Sequence, residues 1–406
     1  MGKTIAGIDI GTTKICTLVG EVDDEGLLRI VGVGVTPARG LRKGVVVNVS
    51  QATEAIATSV EKAERISGYE IERAYVSIAG AHISSTNSRG VVAVSHGSRG
   101  ITGDDIDRAL DAAQAVAIPY NREVIHIVPR GYTVDGQDGV REPLGMHGYR
   151  LEVETHIVTG AATSIQNLVK CVEGLNITIE QLVLNPLASG EAVLTDTERE
   201  MGVVLADIGG GTTDIAIFIE GSVWHTTILA VGGNHLTNDI AIGLRAPFTT
   251  AEEVKKRYGH ACPRSLAADE VLDVAAFGED ARQTVSRQFL AQIIEARMEE
   301  IFSLIMQEVK RSGYDGLLPA GVVLCGGTAE LAGITELGRE VLSLPVRVGA
   351  PHDLQGLVDV LSSPAYATSV GLLLWGLRQT ATARPRTRSV PLHRRLAQWF
   401  RAFLPG

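Results

Sequence analysis

Apolar and polar positions fall into blocks that read as strand, turn and strand. Residues 5–15 (Ile-Ala-Gly-Ile-Asp-Ile-Gly-Thr-Thr-Lys-Ile) run apolar to an Asp, pass through a Gly/Thr turn and become apolar again. Residues 203–215 (Val-Val-Leu-Ala-Asp-Ile-Gly-Gly-Gly-Thr-Thr-Asp-Ile) repeat this arrangement. Each unit is followed by a second turn (Asp23-Asp24-Glu25-Gly26; Glu220-Gly221) and a third apolar run (27–35; 222–231). Two β-meanders about 200 residues apart predict a duplicated fold, because solenoid repeats recur every ~20–50 residues.

Between them the pattern predicts a helix at 50–67 and strands at 73–79, 155–160 and 177–184, with a helix at 163–174. This α/β alternation implies helices packed on a mixed sheet. Residues 82–154 break the rhythm with a strand at 91–95, a helix opened by Thr102-Gly-Asp104-Asp105, and strands at 123–129 and 131–135, an inserted α+β unit. In the second half, Thr250 and Glu253 have capping-box spacing at the head of a helix ending near Gly259. A long helix is predicted over 280–312, a buried strand over 321–325, and a last helix over 364–377. The Arg/Thr/Ala/Pro/Ser composition of 378–390 predicts a flexible linker.

The chain has 406 residues, enough for two or three domains. Its ordinary balance of apolar and charged residues excludes disordered and fibrous classes. Apolar runs fall well short of the ~20 residues of a membrane-spanning helix. Neither a signal-peptide pattern nor a myristoylation pattern is present at the N-terminus. Cys16, Cys171, Cys262 and Cys325 are scattered, which suggests buried thiols in a reducing compartment. Net charge is −10, but from Arg378 onward there are seven Arg and no acid, leaving a strongly acidic body that disfavours nucleic acid.

Two Asp-x-Gly-rich-Thr-Thr loops suggest phosphate binding. Glycine lets the backbone approach closely, while exposed N–H groups and Thr hydroxyls donate to phosphate oxygens. Lys14 adds positive charge. Asp9 and Asp207 would repel phosphate directly but suit a Mg²⁺ held through its waters. Val322–Cys325 followed by Gly326-Gly327-Thr328 would let a flat ring lie against the backbone. Among the ten His there is no HxxH, HExxH or Cys/His spacing, and neither a Gly-x-Ser-x-Gly motif nor a P-loop occurs.

The two hairpins and the late Gly-Gly-Thr, in this order, resemble the actin/Hsp70/sugar-kinase superfamily. That resemblance implies an α/β, actin-like duplicated two-lobe fold binding ATP and Mg²⁺ between its lobes. In actin, MreB and Hsp70 the first-lobe insert follows the third strand of the first meander. Here only about fourteen residues, 36–49, separate that strand from the next helix, and the insert comes at 82–161. This relocation is similar to the bacterial FtsA family of cell division proteins. So are Gly40-Leu-Arg-Lys-Gly-Val-Val-Val-Asn48, Asp207-Ile-Gly-Gly-Gly-Thr-Thr-Asp214 and Tyr366-Ala-Thr-Ser-Val-Gly-Leu372. The implied organisation is a first-lobe core at 1–81 with 162–195 and 363–377, and the inserted subdomain at 82–161. The second lobe would comprise 196–232 with 301–362, and its insert 233–300. A linker at 378–390 would lead to a C-terminal amphipathic membrane-targeting helix at 391–406.

The resemblance assigns Gly11, Thr12, Thr13 and Lys14, with Gly209, Gly210, Gly211, Thr212 and Thr213, to phosphate contact. Asp9 and Asp207 would hold Mg²⁺ through water. Glu252 and Lys255 resemble a ribose-holding pair, and Gly326, Gly327 and Thr328 would face the adenosine. Where Hsp70 proteins carry a Glu before a Pro, poised near the attacking water, this chain has Asn185 before Pro186, which implies slow hydrolysis or none.

The implied function is polymerisation on the cytoplasmic face of the inner membrane at the division site. There the chain would tether FtsZ filaments as a peripheral protein during septum assembly. Expected partners are other copies of the chain, the FtsZ C-terminal peptide near Arg282, Arg287 and Arg297, later division proteins on the first-lobe insert, and anionic lipid. At 100° per residue, Leu392, Leu396, Trp399, Phe400 and Phe403 share an arc of about 100°, with Leu404 at its edge and Arg394 and Arg401 opposite; Arg395 adds to the basic character. The pattern suits a helix lying in the headgroup plane. The alternative, a sugar-type kinase on the same fold, needs a catalytic carboxylate in the cleft. Asn185 and the Gly/Ala-rich stretch 186–192 supply no clear one. An Hsp70-like chaperone would need a peptide-binding domain longer than the tail.

Overall fold

The computed structural model describes residues 3–23, 25–95, 100–115, 118–277 and 282–382. The membrane-helix reading of 391–406, and all of the linker beyond Thr382, lie outside the described residues.

Strands β1 (Lys3–Ile10), β2 (Lys14–Val22) and β3 (Leu28–Pro37) form the first antiparallel meander. A two-residue pair, β4 (Leu41–Arg42) and β5 (Val45–Val46), precedes α1 (Val49–Ser67). Asn48 caps α1 by accepting from the Gln51 N–H, and Gly68 ends it at φ 75°. β6 (Arg73–Ile78) then runs parallel to β1.

The inserted unit follows. It holds β7 (Ser84–Ala93), α2 (Gly103–Gln114), β8 (Arg122–Val134), β9 (Gln137–Val140) and β10 (Arg150–Ala161), in the antiparallel order β7-β10-β8-β9. Thr102 and Asp105 make the capping box of α2. The two strands expected at 123–129 and 131–135 are one strand. Pro129 has no N–H for the ladder, so the register skips Arg130 as a bulge and pairing resumes at Gly131. β7 also starts seven residues earlier than expected, because its first half is polar. Its side chains meet the second lobe: Ser85 Oγ donates to the Thr226 carbonyl (2.8 Å), and His156 of β10 bridges Asn87 and Thr226.

The chain returns through α3 (Ala162–Glu173) to β11 (Thr178–Leu184), which is parallel to β6 and completes a sheet of order β11-β6-β1-β2-β3. Helices α4 (Asn185–Val193) and α5 (Asp196–Met201) lead into the second meander, β12 (Val203–Ile208), β13 (Thr213–Ile219) and β14 (Ser222–Leu229). α6 (Gly233–Gly243) and α7 (Phe248–Tyr258) come next. The Thr250/Glu253 box does not cap α7: the helix begins two residues before Thr250, behind Pro247, without a side-chain cap. The long helix expected from 280 begins later. Residues Arg282–Ser286 form β16, paired with β15 (Val271–Ala275), because Thr284-Val285 favours a strand; α8 spans Arg287–Ser312. β17 (Val322–Cys325), α9 (Ile334–Leu342) and β18 (Val346–Val348) complete a sheet of order β14-β13-β12-β17-β18.

Gln355–Gly356, expected within the second lobe, forms β19 and pairs with β3 of the first sheet. A short 3₁₀ turn at Pro364–Tyr366 then opens α10 (Ala367–Thr382). α4 and α10 lie between the two sheets, joined with them by one buried cluster that includes Leu18, Leu187, Leu205, Phe218 and Leu373. The two β1/β2-type turns therefore face one another across a cleft at the strand ends.

Candidate functional site

The cleft encloses about 540 Å³. Each turn closes with the same backbone bond, Gly11 N–H to the Lys14 carbonyl (3.1 Å) and Gly209 N–H to the Thr212 carbonyl (2.9 Å). Asp9 pairs across the first hairpin with Cys16, and Asp207 across the second with Asp214, so the acids sit at equivalent depths. The turns nearly touch. A Cβ added at Gly210 would lie 2.0 Å from Thr13 Oγ1, so glycine alone allows this approach.

Asp9, Gly11, Thr12, Thr13, Lys14, Asp207, Gly209, Gly210 and Thr212 line the cleft, as do Glu252, Lys255, Gly326, Gly327 and Thr328. Gly211 and Thr213 do not: Thr213 is buried and donates to the Val231 carbonyl at 2.9 Å. Gly326 has φ 82°, and a Cβ there would lie 2.5 Å from the Asp207 carboxylate. Thr328 Oγ1 donates to the Gly209 carbonyl (3.2 Å), tying the third motif to the second. Glu252 and Lys255 form an ion pair (2.7 Å), and Lys255 also donates to Thr237 (2.8 Å) and to the Gly233 carbonyl (3.1 Å). The pair is turned inward rather than lying on a solvated helix face.

Lys14 Nζ donates to the Ala365 carbonyl (2.6 Å) and stands 3.5 Å from the centre of the Tyr366 ring. Burial pushes its pKa down, against the pull of Asp9. The carboxylates are strained electrostatically. Asp9 accepts from Ser77 (3.0 Å) and Ser369 (2.7 Å), and Asp207 from Thr368 (2.9 Å). Even so, burial raises both pKa values.

Asp214, to which the sequence reading gave no role, is raised furthest, by burial and then by Asp207; its Oδ1 has no partner. Its signal in the sequence is an acid inside an otherwise apolar strand. Asn185, at the head of α4, also lines the cleft with an unpartnered Oδ1. A buried, under-satisfied carboxylate set of this kind fits a hydrated cation. Among the described residues no three His, Cys, Asp or Glu side chains converge to hold a metal by direct ligation. The four cysteines are buried, and burial pushes the Cys16 thiol up to about 12.

These shifts predict a pH effect. A carboxyl whose folded pKa is raised costs nothing below its unfolded value, and costs stability as pH rises through the folded value. Asp214→Asn removes that cost. Its gain in Tm over the parent, measured without ligand, should therefore be small near pH 4, the ordinary carboxylate value, and grow as pH rises. A gain that shrinks with pH would contradict this.

The arginines expected to meet a partner are placed differently from one another. Arg297 is held by Asp239 (2.5 Å) and Glu300. Arg287 bonds Glu270 (2.6 Å) and the Tyr258 carbonyl, and it lines the cleft. Arg282 is exposed on β16.

The family model described as "Cell division protein FtsA" matches residues 204–371, and that described as "SHS2 domain inserted in FTSA" matches 80–159. A "Cell division protein FtsA" of Pseudomonas aeruginosa is 48% identical over 93% of this chain and 90% of its own length. Those of Bacillus subtilis and Escherichia coli are 40% and 35% identical over 91% and 92% of this chain, covering 83% and 90% of theirs. Among solved structures, MreB5 of Spiroplasma citri bound to ADP is similar at a TM-score of 0.59 with 13% identity, covering 94% of this chain and 99% of that one. The PilM-PilN type IV pilus biogenesis complex matches at 0.66 with 16% identity, covering 92% and 98%.

Proposed function

The chain belongs to the FtsA family of cell division proteins, and from that premise we propose that it is an ATP-dependent filament-forming adaptor. In this reading it binds ATP and Mg²⁺ in the interlobe cleft, polymerises on the inner face of the membrane at the division site, and tethers FtsZ filaments there. The observation that carries it is the cleft itself: two Gly/Thr turns in near contact, backed by three buried aspartates with raised pKa values.

Such a cleft suits a phosphate chain accompanied by a cation. The backbone N–H groups of Thr12, Thr13 and Gly210 and the hydroxyls of Thr12 and Thr13, all at the cleft wall, would supply neutral donors, and Lys14 would supply charge. Asp9, Asp207 and Asp214 would hold Mg²⁺ through its waters; the bound ion neutralises phosphate charge. Glu252 and Lys255 would meet the ribose, and Gly326–Thr328 the adenosine. A ligand touching both turns favours the closed arrangement of the lobes by its differential affinity for that state. Support for a nucleotide comes also from the similar MreB5, solved bound to ADP and to AMPPNP.

Asn185 sets the chemistry. It lines the cleft beside the phosphate-facing turns, but an amide cannot take a proton from an attacking water. Turnover is therefore expected well below the usual enzyme range of ~1–10³ s⁻¹. A phosphate-release assay that returned a rate inside that range would contradict the assignment.

The first-lobe insert is proposed to make subunit contacts and to receive later division proteins. Deleting residues 82–161 should leave ATP binding in place and abolish ATP-dependent pelleting. Unchanged pelleting would remove the insert from the filament contact. On the second-lobe insert, Arg282 is the arginine open to an acidic FtsZ peptide, since Arg287 and Arg297 already have acidic partners.

A further inference from the structure

A second cavity, of about 440 Å³, opens at the other end of β1 and β6, away from the nucleotide cleft. Its walls come from the start of both strands and from Gln379 and Thr380 near the end of α10. The floor is apolar, with Ile5, Val19, Ile71 and Ala74 buried. The rim carries charge of both signs: Arg73 is ion-paired with Glu180 (3.0 Å), which leaves Glu70 and Glu72 as its free acids beside Lys3, and Tyr69 of the rim donates to a further carboxylate, Glu21, at 3.1 Å.

An apolar floor beside two free acids complements an apolar segment rich in arginine, and the chain carries such a segment close by. Residues 391–404 hold Leu392, Leu396, Trp399, Phe400, Phe403 and Leu404 together with Arg394, Arg395 and Arg401, and no acid. Trp399 and Phe403, four positions apart, share one face of a helix. The cavity volume lies within the ~300–1,000 Å³ of sites that enclose drug-sized molecules, room for two aromatic side chains. The connection is short. From Thr382 to Leu392 the chain reaches at most about 33 Å, so the tail is held near the cavity at an effective concentration of the order of mM.

We propose that this cavity is a seat for the chain's own C-terminal segment, with Trp399 and Phe403 in the floor and the arginines against the Glu70–Glu72 rim. The inference rests on the amphipathic reading of the tail. The face that would enter a membrane is the face that fills the cavity, so the two states exclude each other. A lone molecule keeps its anchor folded away, and lipid draws it out when many tails act together.

Disulfide trapping in the full chain tests this, because the natural cysteines are buried. Glu70→Cys with Ala402→Cys, oxidised by glutathione disulfide in dilute solution, should close within the molecule ~10-fold faster than Glu173→Cys with Ala402→Cys. Glu173 is another exposed carboxylate, at the end of α3. Trp399→Ala should remove the preference, and vesicles of phosphatidylglycerol should suppress it. Equal rates for the two pairs would overturn the proposal. So would a linked dimer whose rate rises with protein concentration, which would seat another copy's tail instead. Glu70→Gln with Glu72→Gln, without introduced thiols, should lower the vesicle concentration for half-binding of the monomer; an unchanged concentration would count against the part given to these two acids. Flotation of the reduced parent chain separates the two ideas. Preferential closure without flotation keeps the seat and removes the membrane anchor, and flotation without preferential closure does the reverse.

Discussion

Asp207→Ala is expected to weaken Mg·ATP binding by roughly 10–100-fold, the usual cost of losing a group that orients a bound metal, with a much smaller effect on Mg-free ATP. The reason is the charge of the site. Asp207 is buried, accepts one hydrogen bond from Thr368, and faces the further negative charge of Asp9 and Asp214. In the empty cleft this arrangement is costly. With a hydrated Mg²⁺ in place the same charges become favourable, because the ion's charge dominates its surroundings. ATP without Mg²⁺ adds negative charge beside the carboxylates, so losing one of them should hardly weaken it. Asp207→Asn keeps the shape and the Thr368 bond and should behave alike. Calorimetric titration with and without EDTA separates the outcomes; equal losses in both would remove Asp207 from any role in holding the ion.

Deleting residues 391–406 is expected to release both monomers and filaments from anionic liposomes. Trp399→Ala should release the monomer and be partly masked in filaments. If each large apolar side chain gains even half of the ~1.5–3 kcal/mol of full burial, five or six together contribute roughly 4–9 kcal/mol. Nearby arginines add ~1 kcal/mol each on an anionic surface. Ordering a short helix takes several kcal/mol back. The remainder is weak and reversible for one tail and firm for many linked ones. Among the described residues no helix is long and apolar enough to cross a membrane. Full flotation of the truncated chain would place the anchor elsewhere.

The two meanders were legible because both signals are local. Each needs only an apolar run, an acid and a glycine turn, and the backbone closes both turns alike. The position of the insert was legible for the same reason, since chain spacing alone locates it. What escaped the sequence depends on partners far along the chain. β16 looks like the start of α8 until it meets β15, and β7 looks like a polar loop until Ser85 and Asn87 meet β14 and its neighbours. Asp214 closes the quoted Asp207–Asp214 segment, but its burial directly opposite Asp207 follows from strand register, which the motif does not state. Arg287, expected on a partner-facing surface, turns into the cleft because α8 starts there and Glu270 and the Tyr258 carbonyl hold its side chain.

Negative-stain electron microscopy of the full chain on a monolayer containing phosphatidylglycerol, with and without Mg·ATP, brings nucleotide, assembly and membrane into one observation. Filaments lying on the lipid with Mg·ATP, sparse single particles without it, and bare lipid for the chain ending at residue 390 are the expected images. Dispersed particles at saturating Mg·ATP, by a chain shown to bind both nucleotide and lipid, would overturn the reading of this protein as an ATP-dependent filament.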